Sequence, residues 1–215
     1  MIFCIFGCSR PVNVKLDKDE MALIKIAIDT SLLSDISIRT INCGPNNPED
    51  GKITEQQQHE FDSLKRLYDT ATLYVFISDT LFANKSKIHA FQSDLNCKKI
   101  NAFFKGIDTS FIELIKAIGN TNEQPKILVP ESIKSKYNYR FYELSKYNKL
   151  KNKVKTAFEY KFSKISFNKK RDKACFFVET FEHFGPSIQG FGTFLFFRKK
   201  NTKWIYIGER IIWES

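Results

Sequence analysis

Apolar and polar positions along the chain change rhythm near residue 156, and that change organises the reading. From Ala157 to Ser215 the sequence runs EYKFSKISF, a basic turn, KACFFVETF, a loop, GFGTFLFFRKK, the pair Asn201-Thr202 and KWIYIGERIIW. Each run is rich in aromatic and β-branched residues and is bounded by turn formers, which is how consecutive antiparallel strands look in sequence. Alternation inside them is partial. Phe177 and Phe181 oppose Phe176 and Val178, and Phe194 and Phe196 oppose Leu195 and Phe197. Apolar residues on both faces imply a sheet covered on both sides along part of its length.

Before that change the helical period dominates. Asp17 and Glu20 have capping-box spacing ahead of Leu23, Ile24, Ala27 and Ile28, which predicts a helix ending near Ser34. A Gly/Pro/Asn loop over 42–51 separates it from a second helix, capped by Thr54, with Phe61, Leu64, Leu67, Tyr68 and Ala71 inward. Leu73 to Ile77 is a continuous apolar run, read as a buried strand, and Asp79 after it as a cap for the next turn. Asp108 is an N-cap for a helix through Phe111, Leu114, Ile115 and Ile118. Lys126 to Pro130 is a short extended piece. Glu131 to Lys155 reads as a helix leading into the sheet, through Tyr142, Leu144, Tyr147 and Leu150. The expected fold class is α+β: helices in the N-terminal two-thirds packed on a curved C-terminal antiparallel sheet of about four strands. Residues 11–215 form one domain, with the meander at 157–215.

Charge adds a question of partners. Residues 149–215 hold 15 Lys/Arg against 6 Asp/Glu, while residues 1–148 hold 19 against 18. A basic segment attracts phosphate or anionic lipid; its lysines also suit exposed strand turns. Rings interleaved with cations suggest a single-strand nucleic-acid platform. With 15 aromatic rings between Phe158 and Trp213, however, most must be core, so no specific nucleic-acid binding is expected. Trp204 is expected inside the sheet's packing, with Tyr206 on its face and Ile205 and Ile207 on the other.

Candidate chemistry is sparse. Gly190-Phe191-Gly192 lacks the third glycine and the following helix of a nucleotide-binding loop, and reads as a bulge or tight strand entry. Glu179, Glu182 and His183 offer carboxylates beside an imidazole, the minimum for acid–base work, in a chain of three histidines. No catalytic, cofactor-binding or metal-binding residue is assigned. Of five cysteines, Cys4, Cys8, Cys43, Cys97 and Cys175, none forms a CxxC pair. Cys175 reads as a buried hydrophobe, and Cys43 and Cys97 are free to pair only in an oxidising compartment.

Two stretches carry a resemblance. Ile5, Gly7 and Cys8 resemble the end of a bacterial lipoprotein signal, with Cys8 the lipidated residue and 1–10 a signal remnant; Phe6 departs from the pattern, and the basic and apolar regions expected ahead of it are not complete. A start assigned too far downstream would account for that, and the competing reading is a short buried strand. Phe162 to Asn168, Asp172 to Ala174, Lys199 to Trp204 and Trp213 to Ser215 resemble the C-terminal part of uncharacterised Bacteroidetes-type lipoproteins, with Thr202 replacing a turn glycine. The meander is also similar to the curved sheet of the nuclear-transport-factor-like cone fold. These resemblances imply an envelope lipoprotein, a structural or binding module anchored to a membrane by lipid and needing no cofactor. The alternatives are an enzyme or ligand binder with a pocket between helices and sheet, or a cytoplasmic nucleic-acid binder.

Overall fold

The computed structural model describes residues 14–42, 55–56, 58–59, 73–81, 106–118, 126–134, 139–154, 156–184 and 187–215. Strand β1 (Val14–Lys15) leads into helix α1 (Lys18–Asn42). The helix starts where the capping box places it. The Glu20 backbone N–H donates to Asp17 Oδ1 at 2.9 Å, and the Asp17 N–H donates to Glu20 Oε2 at 2.9 Å. Two donors that a helix start leaves orphaned are thereby satisfied, and the carboxylates sit at the positive end of the helix dipole. Leu23, Ile24, Ala27 and Ile28 are all buried, as their spacing predicts. The helix runs past Ser34 to Asn42.

The main sheet has seven strands among the described residues: β2 (Leu73–Ile77), β4 (Tyr139–Glu143), β5 (Thr156–Phe162), β6 (Ser166–Phe167), β7 (Lys173–Phe184), β8 (Ser187–Lys200) and β9 (Lys203–Glu214). Their order is β4-β2-β5-β7-β8-β9, with β6 on β7. β2 lies parallel to both β4 and β5, whereas β5, β7, β8 and β9 pair antiparallel. β3 (Lys126–Ile127) pairs separately with β1.

This architecture corrects the α+β expectation. Strand exceeds helix, and the sheet is mixed and larger than the expected four strands. The N-terminal two-thirds are not a helical layer, because β2 and β4 come from them and enter the sheet. The likeness to the nuclear-transport-factor cone goes with that expectation. The helix expected over Glu131 to Lys155 is instead β4 flanked by short turns, Pro130–Ser132 and Leu144–Lys146, before helix α3 (Tyr147–Leu150). The physical reason is parallel pairing: β4 binds to a strand more than sixty residues earlier in the chain, a contact that local propensity does not encode. The helix expected from Thr54, and the loop over 42–51, lie almost wholly outside the described residues. Asp79 is exposed; its backbone carbonyl accepts from Leu128 at 2.8 Å.

Both faces of the sheet are covered, as the doubled apolar pattern implies. On one face α1 packs Leu23 and Ile24 against Val75, Phe158, Phe162, Phe176 and Phe197. On the other, helix α2 (Ile112–Ile118) and the turn before it (Thr109–Phe111) pack Phe111 and Ile115 against Cys175, Phe177, Phe194 and Phe196. Asp108 caps that turn, accepting from the Ser110 N–H at 2.9 Å. Burial pushes the Cys175 thiol up, so it behaves as a small hydrophobe. The Gly-Phe-Gly stretch lies within β8, where a side chain at Gly190 would strike the Phe181 ring and one at Gly192 the Trp213 indole. These glycines make room for rings, and the ladder shifts register beside Gly192.

Trp204 is buried, with Tyr206 beside it and Ile205 and Ile207 exposed, the alternation expected of β9. The hairpin from β8 to β9 turns on Asn201 (φ 48°) and Thr202 (φ 67°). Two central residues at positive φ make the mirror-image turn that matches strand twist, normally built with glycine at its second place. Thr202 is β-branched, and such a residue is strained in the left-handed region. Thr202→Gly should therefore raise stability by about 0.5–1 kcal/mol, the relief of strain exceeding the entropy glycine gains when unfolded. Denaturant melts check this; a lower midpoint for the variant would refute the strain.

Candidate functional site

Two strands and a helix bring a polar chain together on the α2 side of the sheet. His183 sits near the end of β7 and Glu159 one step diagonally across on β5, and Tyr147 opens α3 above them. Tyr147 Oη lies 2.9 Å from His183 Nδ1, and His183 Nε2 lies 3.3 Å from Glu159 Oε2. Glu159 Oε1 takes Lys161 Nζ at 2.9 Å. The Tyr147 ring lies tilted against the imidazole at 4.5 Å between centroids and meets Phe76 edge-on at 5.1 Å.

The tautomer follows from these partners. Burial, helped by the Glu159 charge, raises the Tyr147 hydroxyl above its usual pKa, so it keeps its proton and donates to Nδ1. The Glu159 carboxylate can only accept, so the His183 nitrogen that faces it, Nε2, carries a proton, and in that tautomer Nδ1 accepts from Tyr147. Tyrosine, imidazole, carboxylate and ammonium form one line in which each group already has a partner. Such a line orients an imidazole as catalytic triads do; here the imidazole's second nitrogen is taken by a tyrosine that holds its proton.

The sequence grouped Glu179, Glu182 and His183, and the structure divides them. Glu179 shares the His183 face but lies about 13 Å away along β7, opposite Lys161. Glu182 points through to the α1 face, opposite Phe158 and on the side of Thr180 and Thr193, and is buried. His183's carboxylate partner is Glu159, which sequence reasoning missed together with Tyr147. The available signal was the period-two pattern of Tyr139, Phe141 and Glu143 against Arg140 and Tyr142, which marks a strand delivering Tyr147 to the sheet.

Elsewhere, no group of three His, Cys, Asp or Glu fit to hold a metal occurs among the described residues. No described helix is long and apolar enough to cross a membrane. Cys8, Cys43 and Cys97 lie outside the described residues, so the lipidation and pairing expectations rest on the sequence alone. Comparisons of the chain with protein-family models, curated proteins and solved structures found no match.

Removing a member of the polar line leaves a buried neighbour unsatisfied, which costs about 1–3 kcal/mol. Tyr147→Phe and His183→Gln should each lower the unfolding free energy by an amount in that range. Chemical denaturation of the purified variants measures it. Catalytic groups held at the expense of stability would show the opposite, unchanged or higher midpoints.

Proposed function

We propose that this protein is a structural or binding module of the bacterial envelope, tethered through lipid on Cys8, and not an enzyme. The observation that carries the non-catalytic half is the closed polar line. Both nitrogens of His183 and the Glu159 carboxylate are engaged within the fold, and the Tyr147 hydroxyl is held protonated. Chemistry on a substrate would require at least one of these groups to be offered outward. Burial of Cys175 takes away the described thiol as a nucleophile. The anchoring half is supported by Ile5, Gly7 and Cys8 and by the likeness of the C-terminal strands to envelope lipoproteins. One acyl chain binds a bilayer only marginally, so the mature anchor carries more than one.

A second reading keeps His183 as a general base, favoured by the in-line order of tyrosine, imidazole and carboxylate. It requires Tyr147 to swing away from Nδ1 when a ligand enters.

Growth of the native host, carrying the full-length gene, with a clickable fatty-acid analogue tests the anchor. Wild type should take the label and sediment with membranes, and Cys8→Ala should do neither. Equal labelling of the two would overturn the proposal.

A further inference from the structure

The basic C-terminal segment resolves into two populations of cations at one end of the sheet. The turn over 168–172, between β6 and β7, and the Asn201-Thr202 turn lie side by side there, tied by the Lys199 N–H donating to the Asp172 carbonyl at 2.7 Å. Four cations of this end are engaged. Arg171 pairs with Asp17 at 2.7 Å, Lys199 with Asp19 at 2.9 Å, and Lys173 and Arg198 with Asp108 at 2.6 and 3.2 Å. Lys169, Lys170, Lys200 and Lys203 are exposed and have no partner among the described residues. Asp172, the remaining carboxylate here, is hydrogen-bonded to Asn168. Eight cations thus face four carboxylates, and the surplus lies on the four outermost lysines.

We propose that this end of the sheet is a docking surface for an anionic lipid bilayer, read by Lys169, Lys170, Lys200 and Lys203. Three features favour a membrane over a nucleic acid. Both arginines here, the side chains suited to fork-like phosphate recognition, are committed to aspartates, and what faces outward is lysine, a point charge suited to a diffuse surface potential. The rings that would stack on bases are already covered: Arg171 lies over Phe167 at 4.0 Å and Lys199 over Trp204 at 5.1 Å. Both turns project from the same end of one sheet, which presents charge to a surface rather than along a strand. The orientation rests on the lipid-anchor reading: Asp17 touches Arg171 at this end, and the nine residues back to Cys8 reach at most about 32 Å. An acylated Cys8 would therefore hold the lysines within range of the headgroups.

The test uses the full chain carrying Cys8→Ala, so that vesicle binding is measured without acylation and its failure is distinct from failure of the label. Vesicles of equal parts phosphatidylglycerol and phosphatidylcholine should sediment it, and vesicles of phosphatidylcholine alone should not. Binding should weaken steeply with added salt, since screening acts over about 10 Å at 0.1 M. Each lysine near the surface contributes about a fivefold factor, so Lys200→Gln with Lys203→Gln should weaken binding about 25-fold. Lys149→Gln with Lys151→Gln, exposed residues around α3, should change it less than about twofold. Both pairs are solvent-exposed, and unchanged melts certify their folding. Equal losses from the two pairs would reduce the effect to net charge and overturn the surface. So would equal binding to neutral vesicles, or tighter binding to a single-stranded RNA oligonucleotide than to anionic vesicles at the same salt.

Discussion

The carboxylate of Asp19 joins the first helix to the last hairpin, and the arrangement of the basic end depends on it. It accepts the Trp204 indole N–H at 2.9 Å and Lys199 Nζ at 2.9 Å, and Arg171 stands 3.8 Å away. One group therefore links the α1 N-terminus to β8, to β9 and to the turn before β7, across more than 180 residues of sequence. The hydrogen bond from Trp204, then Lys199 and Arg171, holds its carboxyl below the usual range. Because the folded value is depressed, the stability this group adds is complete at neutral pH and is lost as pH falls through the carboxylate range. Charged hydrogen bonds of this kind contribute about 1.5–3 kcal/mol each.

The same logic recurs on the other face. Asp108 caps the turn before α2 and also takes Lys173 and Arg198, and hydrogen bonds from Lys173 and Ser110 hold its carboxyl well below the ordinary carboxylate value. The starts of α1 and of the turn leading into α2 are thus each pinned to the sheet by an aspartate that serves the helix end and the strand cations together. These pins use up the cations nearest the core and leave the outermost lysines to face solvent. The division between engaged and open charge, on which the membrane proposal rests, is a consequence of how the helices are fastened.

What was legible in the sequence was what local physics fixes. The Asp17/Glu20 capping box, the Asp108 cap, the helical spacing of Leu23 to Ile28, the Asn201-Thr202 turn and the burial of Trp204 each depend on residues a few places apart or on simple alternation. The parallel pairing of β2 with β4 and β5 was hidden, because such strands are joined by long crossovers and carry no turn signature. That omission produced the wrong fold class. The polar line was hidden for a related reason: Tyr147, Glu159 and His183 come from separate elements, so their meeting depends on the register of β5 against β7 and on where β4 ends. Sequence proximity suggested Glu182 as the partner of His183, and strand alternation turns it to the opposite face.

The clamp at Asp19 is tested most directly by a double-mutant cycle between Asp19→Ala and Trp204→Phe, with unfolding free energies measured by denaturant at neutral pH. Groups that share a charged hydrogen bond should be coupled by about 1–2 kcal/mol, the double variant losing less than the two single losses together. The coupling should shrink as pH falls through and beyond the ordinary carboxylate range, because the Trp204, Lys199 and Arg171 contacts hold the Asp19 carboxyl below that range and acid must remove its charge. Losses that add to within about 0.3–0.5 kcal/mol at neutral pH would mean that the contact carries no energy, and would contradict the account.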